Sequence, residues 1–176
     1  EGRLAARAIL PALIETARDE REGPEIRRCA VSAIGWIGST EHDAVAVLLG
    51  VLHDPTPRLR AYAAWALGAL GRAAAQAAPD LRRALEDPER EVRKVAVQAL
   101  EKVEPASVAG AARLIGALCD PDPAVRRGAA EALGQLGADA RVALPALRDA
   151  AADEDPGVQA AARAALERIP SAGGAK

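Results

Sequence analysis

The chain has 176 residues, a formal net charge of −2, two cysteines, 50% apolar residues, only 2% aromatic residues and no Phe or Met. That length suits one compact unit or one continuous array of small ones. The composition excludes bulk electrostatic attraction to nucleic acid, a disulfide-stapled scaffold and, since no apolar run reaches membrane length, a transmembrane helix.

Taken in order, residues 3–18 are predicted as a helix with Leu10, Leu13 and Ala17 on one face, followed by the charged loop Asp19-Glu20-Arg21-Glu22-Gly23. A second helix is predicted over 25–37, opened by Pro24 and closed by Gly38. The pattern then repeats as pairs: 41–53 with 57–70, 75–86 with 90–103, 107–119 with 123–136, and 140–152 with 157–169. Pro57, Pro123 and Pro156 sit at first helical positions behind the N-caps Thr56, Asp122 and Asp155, while Gly71 and Gly137 stop two of the helices. Pro11, Pro79 and Pro145 fall within first helices and mark either a first turn or a kink. The loop at 19–23 reads as a two-residue insertion, because Pro11-Ala12-Leu13 lies two residues further from its partner helix than Pro145-Ala146-Leu147 does. Pro170 ends the last helix, and 171–176 reads as a frayed tail. The chain begins Glu1-Gly2-Arg3 without an initiator methionine, which suggests an excised or processed piece.

The pairs keep strict phase. Ile26, Leu59, Val92, Val125 and Val158 are spaced by 33 residues, and the positions 4, 7, 8 and 11 after each of them are Ala, Ala, Ile or Leu, and Ile, Leu or Val. Offsets 0, 4, 7, 8 and 11 make one face of a helix, and the alanine columns let helices approach closely. A fixed period of this length marks a solenoid whose units bury their apolar faces on one another. Ankyrin repeats share the period but not the signature, since T-P-L-H is absent. The run Asp120-Pro121-Asp122-Pro123-Ala124-Val125-Arg126, continued by Ala132-Leu133-Gly134-Gln135-Leu136-Gly137, resembles the bacterial HEAT repeat, including its phycobilisome-lyase-like subgroup. Repeat 3 departs from it with Glu101 and Glu104 in place of two glycines, repeat 1 is looser, and repeat 5 has Gln159 where an arginine is usual. The resemblance implies an all-α, right-handed superhelix of about five helix pairs. They form a single solenoid over 1–170 with repeats at 3–38, 41–71, 75–104, 107–137 and 140–169.

Two columns could carry chemistry: Asp54, Asp87, Asp120 and Asp153, and Arg27, Arg60, Arg93 and Arg126. Their regular recurrence points to a structural ladder in which each guanidinium ties the turn of the next repeat. Gln159 fits, because the last repeat has no successor to bridge. His42 and His53 read as surface residues and do not make a metal site. Cys29, which shares its column with Tyr62, Val95, Gly128 and Ala161, is expected to pack between repeats. Three repeats separate it from Cys119 by roughly 30 Å, beyond disulfide reach, so both thiols are expected free, as in a reducing compartment. No phosphate loop, carboxylate pair or serine triad is present, and no cofactor is implied.

The tryptophans are the more informative residues. Trp36 and Trp65 fall at offsets 10 and 6 of adjacent second helices, turned away from the apolar stripe. The resemblance implies that second helices line a concave face. Arg28, Lys94, Gln98, Lys102, Arg127 and Glu131 occupy the same columns. An aromatic pair rimmed by cations is hot-spot chemistry, and the cations favour a partner carrying acidic groups. The second helices hold 12 Lys/Arg against 5 Asp/Glu, but four of those cations belong to the ladder, leaving little for a phosphate track. The sequence therefore predicts a non-catalytic, monomeric, cytoplasmic scaffold binding a peptide or protein. A HEAT-like nucleic-acid reader or DNA glycosylase and a bilin-lyase-like protein are the alternatives.

Overall fold

The computed structural model describes residues 2–37, 42–104 and 108–170. Among them no strand occurs, and the helices run in the order α1 (Gly2–Arg18), α2 (Pro24–Ile37), α3 (His42–Val51), α4 (Pro57–Leu70), α5 (Ala78–Ala84), α6 (Arg90–Val103), α7 (Val108–Ala117), α8 (Pro123–Leu136), α9 (Leu144–Ala150) and α10 (Pro156–Arg168). The chain divides into two compact units, residues 1–103 with repeats 1 to 3 and residues 104–176 with repeats 4 and 5. Gly38 and the tail at 171–176 lie outside the described residues, as does the side chain of His42.

The second helices begin and stop where their punctuation directs. Asp122 Oδ1 accepts a hydrogen bond from the Ala124 N–H at 2.8 Å, and Asp155 Oδ1 accepts from Gly157 and Val158 at 2.8 and 3.0 Å, so these aspartates satisfy N–H groups that a helix start leaves unpaired. Thr56 has the extended backbone of a cap but its hydroxyl makes no cap bond. Its own N–H is instead held by Asp54 Oδ1 at 2.8 Å. Gly71 and Gly137 end α4 and α8 at φ of 58° and 55°, a region that disfavours a Cβ. Each then leads into a seven-residue 3₁₀ segment, Gly71–Ala77 and Gly137–Ala143. For that reason α5 and α9 start later than the sequence predicted. Pro79 and Pro145 lie in the first turns of these helices, where a missing N–H is harmless, whereas Pro11 is inside α1.

The apolar stripe of each second helix is buried: Leu59, Ala63, Ala66 and Leu67 are at most 1% exposed, and Val125, Ala129, Ala132 and Leu133 at most 2%. A second stripe is also buried, with Val31, Ala64, Val97 and Ala130 at offset 5 exposed by 0–1% and Gly35, Gly68 and Gly134 at offset 9 buried, while Glu101 at that offset in α6 is half-buried. This stripe receives the next repeat. A Cβ on Gly68 would stand 2.9 Å from Ala99 Cα, and one on Gly134 would stand 2.9 Å from Ala165 Cα. Offset 9 of one helix thus meets offset 7 of the next, so successive second helices run parallel at close range within each unit. Ile26 breaks the pattern: its counterparts are at most 1% exposed, yet it is 52% exposed. Offset 0 lies two turns from offset 7 on the side facing a preceding second helix, and none precedes α2 among the described residues.

Candidate functional site

The Arg and Asp columns lie at the turn end of the repeats. Arg60 grips Asp87 of the next repeat with Nε and Nη2 at 2.8 and 2.9 Å, and Arg126 grips Asp153 the same way at 2.8 Å for each bond. Arg27 pairs with Asp54 at 2.7 Å. Each guanidinium also reaches back to its own turn. Arg60 Nη1 donates to the Asp54 and Pro55 carbonyls, Arg93 Nη1 to those of Asp87 and Pro88, and Arg126 Nη1 to those of Asp120 and Pro121. The aspartates in turn bind the N–H two residues on: Asp54 to Thr56, Asp87 to Glu89, Asp120 to Asp122 and Asp153 to Asp155. Gln159 keeps the backward contact, Nε2 to the Asp153 carbonyl at 2.7 Å, and its Oε1 accepts from Arg163 of the same helix at 3.4 Å.

This geometry tunes the carboxyls. Arg126 and then the Asp155 N–H hold Asp153 below the usual aspartate range. At Asp87 and Asp54 burial pushes the carboxyl up, but the arginine and turn N–H bonds outweigh it and the net displacement is downward. These bonds tie repeat 1 to repeat 2, repeat 2 to repeat 3 and repeat 4 to repeat 5.

The exposed face of α2, α4 and α6 is different. Trp36 is 79% exposed, and its ring centroid lies 5.3 Å from that of half-buried Trp65, with the planes tilted by 58°. Such tilted pairs are favourable beyond their area. The two indoles wall one end of a cleft of about 620 Å³, continued by Ser32, Ala61, Tyr62, Pro57, Val92 and Val95 and bounded at the other end by Arg58, Glu89 and Glu91. The Ser32 Oγ is buried there without a hydrogen-bond partner. The cleft runs diagonally, from offset 10 of α2 through the middle of α4 to the first turn of α6.

The rim cations are already engaged. Arg28 donates Nε to Glu25 at 2.8 Å and stacks on Tyr62 with its guanidinium carbon 5.1 Å from the ring centroid. Arg58 reaches the same Glu25 at 3.0 Å. The Arg28 bond holds Glu25 below the usual glutamate range against the opposing effect of desolvation, with the nearby Arg58 charge adding to the lowering. Lys94 pairs with Glu91 at 3.3 Å. Gln98 and Lys102 are exposed on α6 but do not line the cleft, and Arg127 and Glu131, 3.9 Å apart, belong to the second unit. Sequence reasoning missed Tyr62, Val95, Glu89 and Glu91. Tyr62 and Val95 share the column of Cys29, for which the sequence predicts packing between repeats, yet Cys29 is exposed with Arg28 Nη2 at 3.8 Å from its Sγ. Offset 3 lies on the edge of the buried stripe, where neighbouring helices leave it half-open. His53 is exposed, with Nε2 3.3 Å from Asp80, and no cluster of three or more potential metal ligands occurs among the described residues.

The profile of the family described as HEAT repeats matches residues 45–112 and 106–167. Among solved structures the chain is similar to a chain of the complex of CpcE and CpcF of phycocyanin lyase from Nostoc sp. PCC7120, at 28% identity and a TM-score of 0.77, covering 91% of this chain and 64% of that chain. It thus spans less than two thirds of that relative's length. A designed armadillo repeat protein in complex with the peptide (KR)4 shares the fold at 24% identity and a TM-score of 0.72, covering 94% of this chain and 85% of the other. An engineered protein does so at 22% identity and a TM-score of 0.73, with 95% and 83% covered. No curated protein sequence matches the chain.

Proposed function

The chain belongs to the HEAT-repeat family, and on that premise we propose that it is a non-catalytic interaction module that holds a segment of another protein in the cleft walled by Trp36, Tyr62 and Trp65. The observation that carries this reading is the indole of Trp36, 79% exposed beside Trp65 at the mouth of an apolar cleft. A large ring left in water gains free energy when covered, and tryptophan is the residue that most often dominates an interface. The cations and carboxylates of the turns are bound to each other, which leaves the exposed helical face as the place for recognition. The designed armadillo protein illustrates that a fold of this kind accommodates a peptide; the choice of ligand rests on this chain's own residues.

A second reading takes its support from the likeness to the phycocyanin lyase chain: the same cleft would hold a bilin within a lyase assembly. The two are separated by one set of measurements. The wild-type chain and a Trp36→Ala/Trp65→Ala variant are used as bait in a lysate of the source organism, and each is titrated with a free linear tetrapyrrole. Proteins retained by the wild type and lost by the variant support the interaction module. Unchanged capture by the variant overturns it. A shift in tetrapyrrole absorbance that depends on the two indoles supports the second reading.

A further inference from the structure

Repeat 1 carries, away from the cleft, the face with which a repeat meets the one before it, and that face is open. Four apolar positions show this. Ile26 is 52% exposed and Ala33 half-buried, while the residues at the same offsets of α4, α6, α8 and α10 are at most 2% exposed. Ile9 is 54% exposed and Leu13 half-buried. Ala77 with Leu81, and Ala143 with Leu147, stand at the same distances from Pro79 and Pro145 as Ile9 and Leu13 do from Pro11, and all four are fully buried.

The turn of repeat 1 also has a ladder aspartate. Asp19 follows Pro11 by eight residues, as Asp87 follows Pro79 and Asp153 follows Pro145. Its Oδ1 accepts from the N–H two residues on, that of Arg21, at 3.0 Å, the bond that Asp54, Asp87, Asp120 and Asp153 make in their own turns. The two-residue insertion therefore falls after Asp19 and leaves it in its column. At Asp54, Asp87 and Asp153 the other oxygen takes an arginine of the preceding repeat. Asp19 has no ion-pair partner among the described residues, although Arg18 and Arg21 flank it in sequence.

We propose that this face docks a HEAT-type helix pair of a partner protein, seated on repeat 1 as repeat 1 is seated on repeat 2. Glycine or alanine of the partner's second helix lies against Ala33, as Gly35 lies against Ala66. Its apolar stripe covers Ile26 and Ile9, which gain by leaving water. An arginine at its ladder position takes the open oxygen of Asp19, a carboxylate already oriented by its turn. The interface is thus a continuation of the one already repeated along the chain. A second copy of the chain does not fit. Its repeat 5 offers Gln159, Arg163 and Glu167 where a docking helix needs arginine, a small apolar residue and glycine, and its repeat 1 has Arg27 already bound to Asp54.

The test builds the partner's face from this chain. The probe is the full chain with Gln159→Arg, Arg163→Val and Glu167→Gly, which gives repeat 5 the residues of an internal repeat, and with Ile26→Asp, which blocks its own repeat 1. A second probe omits Arg163→Val, so that a loss of folding in the first does not decide the result. Sedimentation velocity of probe mixed with wild-type chain should show a 1:1 complex. Asp19→Asn in the wild-type member should weaken it tenfold or more, and Ile26→Asp there should abolish it. No complex with a folded probe, or a complex indifferent to either substitution, overturns the inference. Self-association of the wild-type chain alone that Ile26→Asp abolishes makes a second copy the occupant and overturns it as well.

Discussion

At the scale of single residues, the two tryptophans divide their work unequally. Trp36 is 79% exposed and contributes little to the folded state. Trp65 is half-buried and closes on repeat 1, since a Cβ on Gly35 would meet its Cζ3 at 2.9 Å. Trp36→Ala should change stability by no more than about 0.5 kcal/mol, whereas Trp65→Ala should lose about 1–3 kcal/mol, part of the penalty for truncating a core aromatic. Denaturant titration measures both, and equal losses would contradict the assignment. The ladder aspartates make a pH prediction. Asp54, Asp87 and Asp153 have folded pKa values held below the ordinary one. Their contribution is thus fully present above the unfolded value of about 3.9 and is lost as pH falls through the lower folded values. The melting temperature should hold down to about pH 4 and fall below it. Asp87→Asn should lower the starting value and flatten that acid limb, and a wild-type limb unchanged by this substitution would sink the ladder as its cause.

Elements obey a packing rule that the ladder alone does not express. Glycine at offset 9 exists because the next helix presents alanine backbone to it. In an isolated helix Gly68→Ala would gain about 1 kcal/mol of propensity. Here the added methyl would stand 2.9 Å from Ala99 Cα, and overpacking against backbone costs about 1–3 kcal/mol, so the net effect should be destabilising. Gly50→Ala is the contrast. Nothing lies within 4 Å of its Cβ position in α3, so it should stabilise by about 0.5–1 kcal/mol. Thermal melts of both variants decide the matter, and the same sign for the two would show that propensity rather than contact governs these sites.

Across the whole chain, the stripe that receives a following repeat changes character at repeat 5. Offsets 1, 5 and 9 are Gln159, Arg163 and Glu167 there, and Arg163 bonds the Ala151 carbonyl and Gln159 instead of a further helix. Arg60, by contrast, bonds the turn aspartate of the next repeat. Arg60→Ala should therefore destabilise by about 1–3 kcal/mol through the stranded Asp87, and Gln159→Ala by clearly less, as urea midpoints can show. The charge distribution belongs to this scale too. With a net charge of −2, and with ladder arginines committed to aspartates, duplex DNA should bind weakly and only at low salt. Sub-micromolar binding at physiological salt in a fluorescence anisotropy titration would favour the nucleic-acid reading instead.

What the sequence determined by itself was everything that recurs with the period. The limits of α4, α6 and α8, the buried columns from Leu59 to Leu70, and the glycine stops at 71 and 137 all follow from local rules: a proline that fits only a first turn, a glycine that alone tolerates positive φ, an apolar stripe that must leave water. The tryptophans could be placed on an open face for the same reason. Tertiary structure decided what depends on neighbours without a fixed sequence spacing. It left Ile26 exposed, where no second helix precedes α2 among the described residues. It opened Tyr62 and Val95 into the cleft, because burial at the edge of a stripe depends on how far the adjacent helix reaches. It paired Arg28 and Arg58 with the single Glu25 and Lys94 with Glu91, so that only part of the positive rim suggested by a count of charges along the helices is left unmatched. Charge and exposure at an interface are sums over groups brought together in space, and a one-dimensional period carries that information only where every repeat is the same.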